Sequence, residues 1–275
     1  AILGLGVEQS NYSAVKRIDP EILKGVADSY RRLRNTMRFM LGSLHDFTEA
    51  DRIDPADMPE LEQWVLHRLA ELDTRVRDGY TAYDFQGVFQ AIFTFATVDL
   101  SAFYFDVRKD VLYCDGDTIE RRAARCVLDI LFHRLTTWLA PVLVFTMEEV
   151  WLERFGGEDS SVHLIDIPAT PASWLNPELA EKWAMIRRVR RVVTAALEVQ
   201  RTEKVIGASL EAAPILYLAD QAVKDVLEQM PFADICITSD LTLSTDAAPS
   251  DAFTMAEIDG VAVSFVKAEG EKCGR

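Results

Sequence analysis

The chain of 275 residues is 49% hydrophobic and carries a formal net charge of -15 with a pI near 4.7. That much apolar material can bury a sizeable core, which excludes a disordered tail, and the length allows one or two domains. The acidity excludes indiscriminate attraction to nucleic acid, so a polyanionic partner would have to be met by a local basic patch.

Pro20 and Glu21 open a first helical segment, proline at a helix start supplying the right backbone angle without losing a needed N–H. Within it, residues 29–39 contain four arginines and no acid. At 100° per residue Tyr30, Leu33, Met37, Met40, Leu41 and Leu44 share one face, Arg31, Arg34 and Arg38 line its flank, and Asn35 and Phe39 lie opposite. Such a helix is expected to touch something on both sides. Its arginines serve packing if neighbouring carboxylates take them, and anions if not.

Pro55 and Pro59 punctuate the loop before a second helix over residues 61–80, and a third apolar segment spans 85–106. After a turn at 114–117, Asp117 and Glu120 have capping-box spacing for a helix through Leu139, which Pro141 ends or kinks. Thr146 and Glu149 suggest a second box, restarting a short helix that carries Trp151. The apolar run 135–147 is too short for the ~20 residues of a membrane helix, and no membrane role is expected.

Three prolines and Trp174 mark residues 168–177 as a connector, and a long helix is expected over 178–204. From Lys182 to Lys204 it carries seven basic residues against Glu198 and Glu203. Arg187, Arg190, Arg191 and Arg201 form a stripe with Thr194, opposite the seam Ile186, Val189, Val193 and Leu197. Arginine's planar fork suits phosphate and its face stacks on unpaired bases, so the stripe fits a structured RNA, with Glu198 discordant inside it. A solvated bundle helix paired to acidic neighbours gives the same pattern. The period then changes. Residues 215–219, Ile235, Ile237 and 261–266 read as strands and 221–229 as a helix, so a small α/β subdomain is expected after a mainly α, helical-bundle part.

Catalytic chemistry is not apparent. His45, His67, His133 and His163 lack metal-ligand spacing, and no Gly-rich phosphate loop opens a helix. Cys114, Cys126, Cys236 and Cys273 form no Cys-x-x-Cys pair and no signal peptide opens the chain, so reduced thiols in the cytoplasm are the expectation. Cys273 could begin a zinc knuckle that would be incomplete here.

Three stretches in order, Tyr30-Arg-Arg-Leu-Arg-Asn-Thr-Met-Arg-Phe39, Tyr83-Asp-Phe85 and Leu139-Ala-Pro-Val-Leu-Val-Phe-Thr-Met-Glu-Glu-Val-Trp151, resemble the anticodon-binding helical bundle of the class I synthetases for isoleucine, valine and leucine. Lys204-Val-Ile-Gly-Ala-Ser-Leu-Glu-Ala212 resembles the element after the long helix in the bacterial isoleucyl-tRNA synthetases, and residues 269–275 resemble the start of their zinc knuckle. The resemblance implies a division into a junction (1–19), the bundle (20–160), a connector (161–177), a long basic helix (178–206), an α/β subdomain (207–270) and a truncated zinc knuckle (271–275). It implies a fragment that holds the anticodon stem-loop of isoleucine tRNA, as a monomer, beside a catalytic domain lying upstream. The ATP-holding signatures His-Ile-Gly-His and Lys-Met-Ser-Lys-Ser are absent, so adenylate chemistry, ATP, magnesium and a complete zinc site are expected only in the full-length parent. Arg34, Arg38, Arg187, Arg190, Arg191, Arg201 and Lys204 are the expected RNA contacts, while Arg31, Asn35 and Thr36 are expected to tie helices together. Trp174 and Trp183 are candidates for base stacking, with a place in the core the stronger expectation for each. The alternatives are a helical protein-interaction scaffold, or the equivalent region of a valyl- or leucyl-tRNA synthetase.

Overall fold

The structure, a computed structural model, describes residues 20–157 and 159–270. The expected junction at 1–19 and the Cys273 site lie outside the described residues. The chain divides into two compact units, with the boundary between Asn176 and Pro177.

The first unit is a helical bundle: α1 (Pro20–Ser43), α2 (Glu60–Thr81), α3 (Phe85–Thr94), a π-helical stretch (Phe95–Tyr104), α4 (Phe105–Cys114), α5 (Ile119–Leu139) and α6 (Val144–Arg154). The apolar periodicity of α1 buries Leu33, Met37, Met40 and Leu44 as expected, and Phe39 on its other side stacks on Phe105 at 4.4 Å. α5 is the central post, packed against α1, α2, α4 and α6 with Leu128, Leu131, Phe132, Leu135 and Trp138 all fully buried. The α2–α3 turn is tight. Tyr83 takes a left-handed backbone with φ 60°, Asp84 caps α3 by accepting from the Gly87 amide, and a Cβ at Gly79 would meet Val88 Cγ2 at 2.5 Å. Glycine alone lets α2 and α3 approach this closely.

Two capping expectations are corrected. Thr118, not Asp117, caps α5 through the Arg121 amide, since its hydroxyl sits one residue nearer the first turn. α6 begins two residues before Thr146, which lies inside the helix and bonds the Tyr30 hydroxyl at 3.0 Å. The third apolar segment continues to Cys114. Because a π-helix closes i to i+5, it shifts the phase of the apolar residues midway, and the 3.6 period breaks there. Phe85–Cys114 is the one described stretch long and apolar enough to cross a membrane, but 56% of its most apolar window is buried, as a core helix would be.

A buried ionic network joins α2 to this helix. Glu62, fully buried, accepts from Arg108 Nε and Nη2, both at 2.7 Å, and from the Tyr104 hydroxyl at 3.0 Å. Burial, then the Glu62 charge, pushes the Tyr104 phenol well above its ordinary range. Arg134 on α5 pins the connector, donating to the Ala169 carbonyl (2.8 Å) and the Thr170 hydroxyl (3.2 Å) while lying over the Trp174 ring at 4.9 Å. His67 Nδ1 accepts the Asn176 amide at 2.8 Å, so that nitrogen carries no proton.

The second unit contains α7 (Pro177–Thr202), α8 (Gln221–Glu228), α9 (Phe232–Cys236) and strands β1 (Ile215–Leu218), β2 (Thr242–Ser244), β3 (Phe253–Met255) and β4 (Ile258–Ser264). The sheet order is β2-β1-β4-β3, with β1 parallel to β2 and the other pairs antiparallel. α7 packs on β3 and β4 and buries Trp183, Ile186, Val189, Val192, Val193 and Leu197. Ile235 and Ile237, expected on strands, instead belong to α9 and to its left-handed cap at φ 59°. Five apolar residues in six, 232–237, suit a buried short helix as well as a strand.

Candidate nucleic-acid interface

The bundle has two chemically different ends. Tyr80 donates its hydroxyl to the Trp138 carbonyl, which ties the α2–α3 turn to the α5–α6 turn at one end. There Tyr83, Phe85, Val144 and Phe145 are exposed, Phe145 by 89%. At the other end, Arg125 of α5 donates to the Ser43 (3.3 Å) and His45 (2.6 Å) carbonyls, satisfying acceptors where α1 finishes.

At that second end a cleft of about 900 Å³ opens between α1, the 44–47 loop and α6. Arg34 and Arg38 line it from α1, Glu149, Glu153 and Arg154 from α6, and the rings of Phe47 and Phe155 complete it. Arg34 and Arg38 are four residues apart and therefore one above the other on the helix. Arg34 reaches Glu149 Oε1 at 3.6 Å with both side chains more than half exposed, a pairing worth ~0–1 kcal/mol in water. Arg38 is exposed and makes no ion pair among the described residues.

Arg154 is a fixed cation. Its Nη2 donates to Asp129 Oδ1 at 2.5 Å, the other Asp129 oxygen takes Arg52 at 2.8 Å, and its guanidinium lies over Phe132 and Phe155 at 4.9 and 4.8 Å. Arg52 and Arg125 lie over Phe47 at 5.5 and 5.4 Å. Guanidinium groups thus lie over both rings that line the cleft, Phe47 and Phe155. His133 sits 3.7 Å from Asp129. Burial pulls its pKa below the ordinary histidine value, the Asp129 charge opposes this, and Arg154 and Arg52 reinforce it.

The cleft thus gathers Arg34 and Arg38, both expected from sequence, with Phe47, Arg154 and Phe155, which were not. Their signal was weak, because they lie in a loop and at a helix end more than a hundred residues apart. Of the helix-linking trio, Thr36 bonds Ser101 at 3.1 Å, whereas Arg31 pairs with Asp28 in its own helix and Asn35 is exposed.

Three arginines of the expected α7 stripe have partners inside the second unit. Arg190 is half-buried and donates Nε to the Ile235 carbonyl at 2.7 Å, which closes the end of α9. Arg191 pairs with Glu257 at 2.9 Å and Arg201 with Glu198 at 3.0 Å, both at the surface, and Arg187 is half-buried with its own partner. Lys204 is exposed at φ 61°, in the left-handed cap of α7, where the Val205 amide returns to the Gln200 carbonyl at 2.9 Å. It borders an open cleft of about 510 Å³ with Arg201, Glu198 and Glu211. Trp183 is core, and Trp174 lies half-buried against Arg134. Among the described residues no three or more His, Cys, Asp or Glu side chains group as a metal site.

A family model described as the anticodon-binding domain of tRNA ligase matches residues 62–216. Over the whole chain, the sequence is 70% identical to an isoleucine--tRNA ligase of Ruegeria pomeroyi. It is 51% identical to proteins of the same name from Brucella abortus and Agrobacterium fabrum. The chain spans 28% of the length of each of these relatives.

Proposed function

The chain belongs to the anticodon-binding domain family of tRNA ligases, and from that membership we propose that it holds the anticodon stem-loop of isoleucine tRNA in the cleft between α1 and α6. The observation that carries this reading is the pairing of an exposed two-arginine wall, Arg34 and Arg38, with the cation-backed rings Phe47 and Phe155 in one cleft. Anticodon loops offer what such a cleft takes: phosphates for guanidinium groups and unstacked bases for aromatic rings. Lys204 and Arg201 give a secondary phosphate contact in the second unit. The exposed apolar end at Tyr83, Phe85 and Phe145 is the face for the rest of the longer protein, including its catalytic domain. The ligation of isoleucine, with its ATP, magnesium and zinc, is assigned to sequence that the relatives carry beyond the matched stretch. The chain works in this reading as a cytoplasmic monomer.

The test is titration of isoleucine tRNA against the wild-type chain and the double variant Arg34→Glu/Arg38→Glu across a salt series. Loss of two phosphate contacts flattens the slope of log K against log salt by about 1.4 to 1.8. It also weakens binding at least tenfold at low salt. Unchanged affinity and slope would remove the cleft from consideration, and loss of a protein partner instead of RNA would favour a scaffold.

A further inference from the structure

The sequence contains three Asp–Gly steps, Asp78-Gly79, Asp115-Gly116 and Asp259-Gly260. At such a step the glycine amide nitrogen, with no side chain beside it, can reach the carboxyl carbon of the preceding aspartate and close a five-membered ring. Closure needs that amide free of the backbone ladder and a peptide able to rotate, so the fold decides which step reacts. Gly79 lies inside α2, where its amide belongs to the i to i−4 ladder, and Val88 crowds it from α3. Gly260 is held in β4: its carbonyl takes the Ala219 amide at 2.9 Å, and a Cβ there would lie 3.3 Å from Ala219 Cβ. Gly116 differs on each count. It sits between the end of α4 at Cys114 and the Thr118 cap of α5, and both it and Asp115 are exposed. A Cβ at Gly116 would meet nothing within 4 Å, and its amide makes no hydrogen bond among the described residues. The Gly116 carbonyl accepts the Thr118 amide at 3.0 Å, but the peptide that must turn is the preceding one, which that bond does not hold.

We propose that Asp115 is a site of spontaneous covalent modification, isomerising through a cyclic imide to a β-linked isoaspartate in the folded chain, while the fold protects Asp78 and Asp259. The Gly116 nitrogen attacks Asp115 Cγ. The N–Cγ bond forms, and the carboxyl hydroxyl leaves with the amide proton as water. Water then adds to one of the two ring carbonyls. Opening at Cγ breaks the new bond and restores aspartate. Opening at the main-chain carbonyl breaks the original peptide bond instead, so the chain runs on through Cγ and the former carbonyl becomes a free carboxylate. One water is lost and one gained, no oxidant or co-reactant enters, and the mass is unchanged. The product turn between α4 and α5 is one backbone atom longer. The Thr118 hydroxyl that caps α5 bonds the Arg121 amide and no atom of residues 115–116, so α5 keeps its start.

The experiment ages the wild-type chain in neutral buffer for several weeks, folded and in urea, and follows isoaspartate at each step by peptide mapping. Methyl transfer from S-adenosylmethionine by an isoaspartyl methyltransferase serves as a second probe of the new carboxylate. In the folded chain isoaspartate accumulates at residue 115 about tenfold faster than at 78 or 259, because those two cyclise only after local opening. In urea the three rates converge to within about threefold. Gly116→Ala, which the open space admits, lowers the folded rate at 115 by about fivefold or more while circular dichroism stays unchanged. Comparable rates at the three steps in the folded chain, or a faster rate at 78 or 259, overturn the proposal. So does a rate at 115 that Gly116→Ala leaves unaltered. Rates in urea that keep the folded order assign the preference to local sequence and not to the fold, and a rate at 115 that rises about tenfold on unfolding shows the turn to be protected; either result overturns it as well.

Discussion

Replacing Glu62 by glutamine removes one charge and changes almost no volume, yet it should be among the most damaging single substitutions in the bundle. The side chain is fully buried and takes three hydrogen bonds, two from Arg108 at 2.7 Å and one from Tyr104 at 3.0 Å. Arg108 is only 12% exposed in its side chain. Burial by itself would lower the Arg108 pKa, and the Glu62 carboxylate more than restores it. In the variant one amide N–H group faces a guanidinium donor, and the buried cation loses its counter-charge. Breaking a buried pair from one side costs about 3–5 kcal/mol, whereas exchanging both partners for apolar residues of similar size is often neutral. Glu62→Gln should therefore lower the unfolding free energy by at least about 3 kcal/mol, and Glu62→Met/Arg108→Met should recover most of it. Urea unfolding followed by tryptophan fluorescence reads this directly, as Trp64 is buried two residues along α2. A single-variant loss below about 1 kcal/mol, or a double variant as damaged as the single, would refute the placement of the network.

Burial of neutral His133 predicts a second, pH-dependent effect. Its folded pKa lies below the unfolded value, so the unfolded chain binds the extra proton, and stability present above about pH 6.5 is lost as pH falls. Thermal melts from pH 7.5 to 5 should show this loss, and His133→Gln should flatten it; an unaltered profile counts against the assignment. Gly79→Ala should destabilise, because overpacking against Val88 costs about 1–3 kcal/mol and outweighs a helix-propensity gain of under about 1 kcal/mol. A rise in melting temperature would contradict the close approach. Burial pushes the Cys126 and Cys236 thiols up while Cys114 is exposed, so alkylation with peptide mapping should label Cys114 in the native chain and Cys126 and Cys236 only in denaturant. Arg190→Ala should cost the second unit about 1–3 kcal/mol by unpairing the Ile235 carbonyl, and leave the salt slope of tRNA binding unchanged. A flatter slope would return Arg190 to the RNA surface.

Most of the helical unit could be read from residues because its faces are long and regular: Leu33, Met37, Met40 and Leu44 recur at helical spacing, and the prolines at 20, 55, 59 and 141 mark breaks. The misreadings share a cause. Strands β2 and β3 are three residues long, too short for alternation to register, and the π-helical stretch departs from the 100° per residue of an α-helix. At the candidate site, one wall was visible because Arg34 and Arg38 share a helix flank. The opposite wall was not, since only tertiary packing brings Glu149, Arg154 and Phe155 to them. On α7, helical phase places Arg190 beside Arg187 and Arg191 without saying that a backbone carbonyl of the same unit lies within its reach.

The two-arginine wall is set in a molecule of net charge -15, with Glu149 and Glu153 across from it. At physiological ionic strength, fields fade over about 8 Å, so an approaching RNA meets the arginines only near contact, and at greater range it meets an acidic body. Such a surface does not collect nucleic acid from a distance, and at low salt its association is slowed instead of steered. On the proposed function it is a short-range reader. Its occupancy then depends on effective concentration: an RNA already tethered elsewhere on a longer protein presents its loop at about millimolar local levels, enough for a weak but discriminating cleft to decide the outcome.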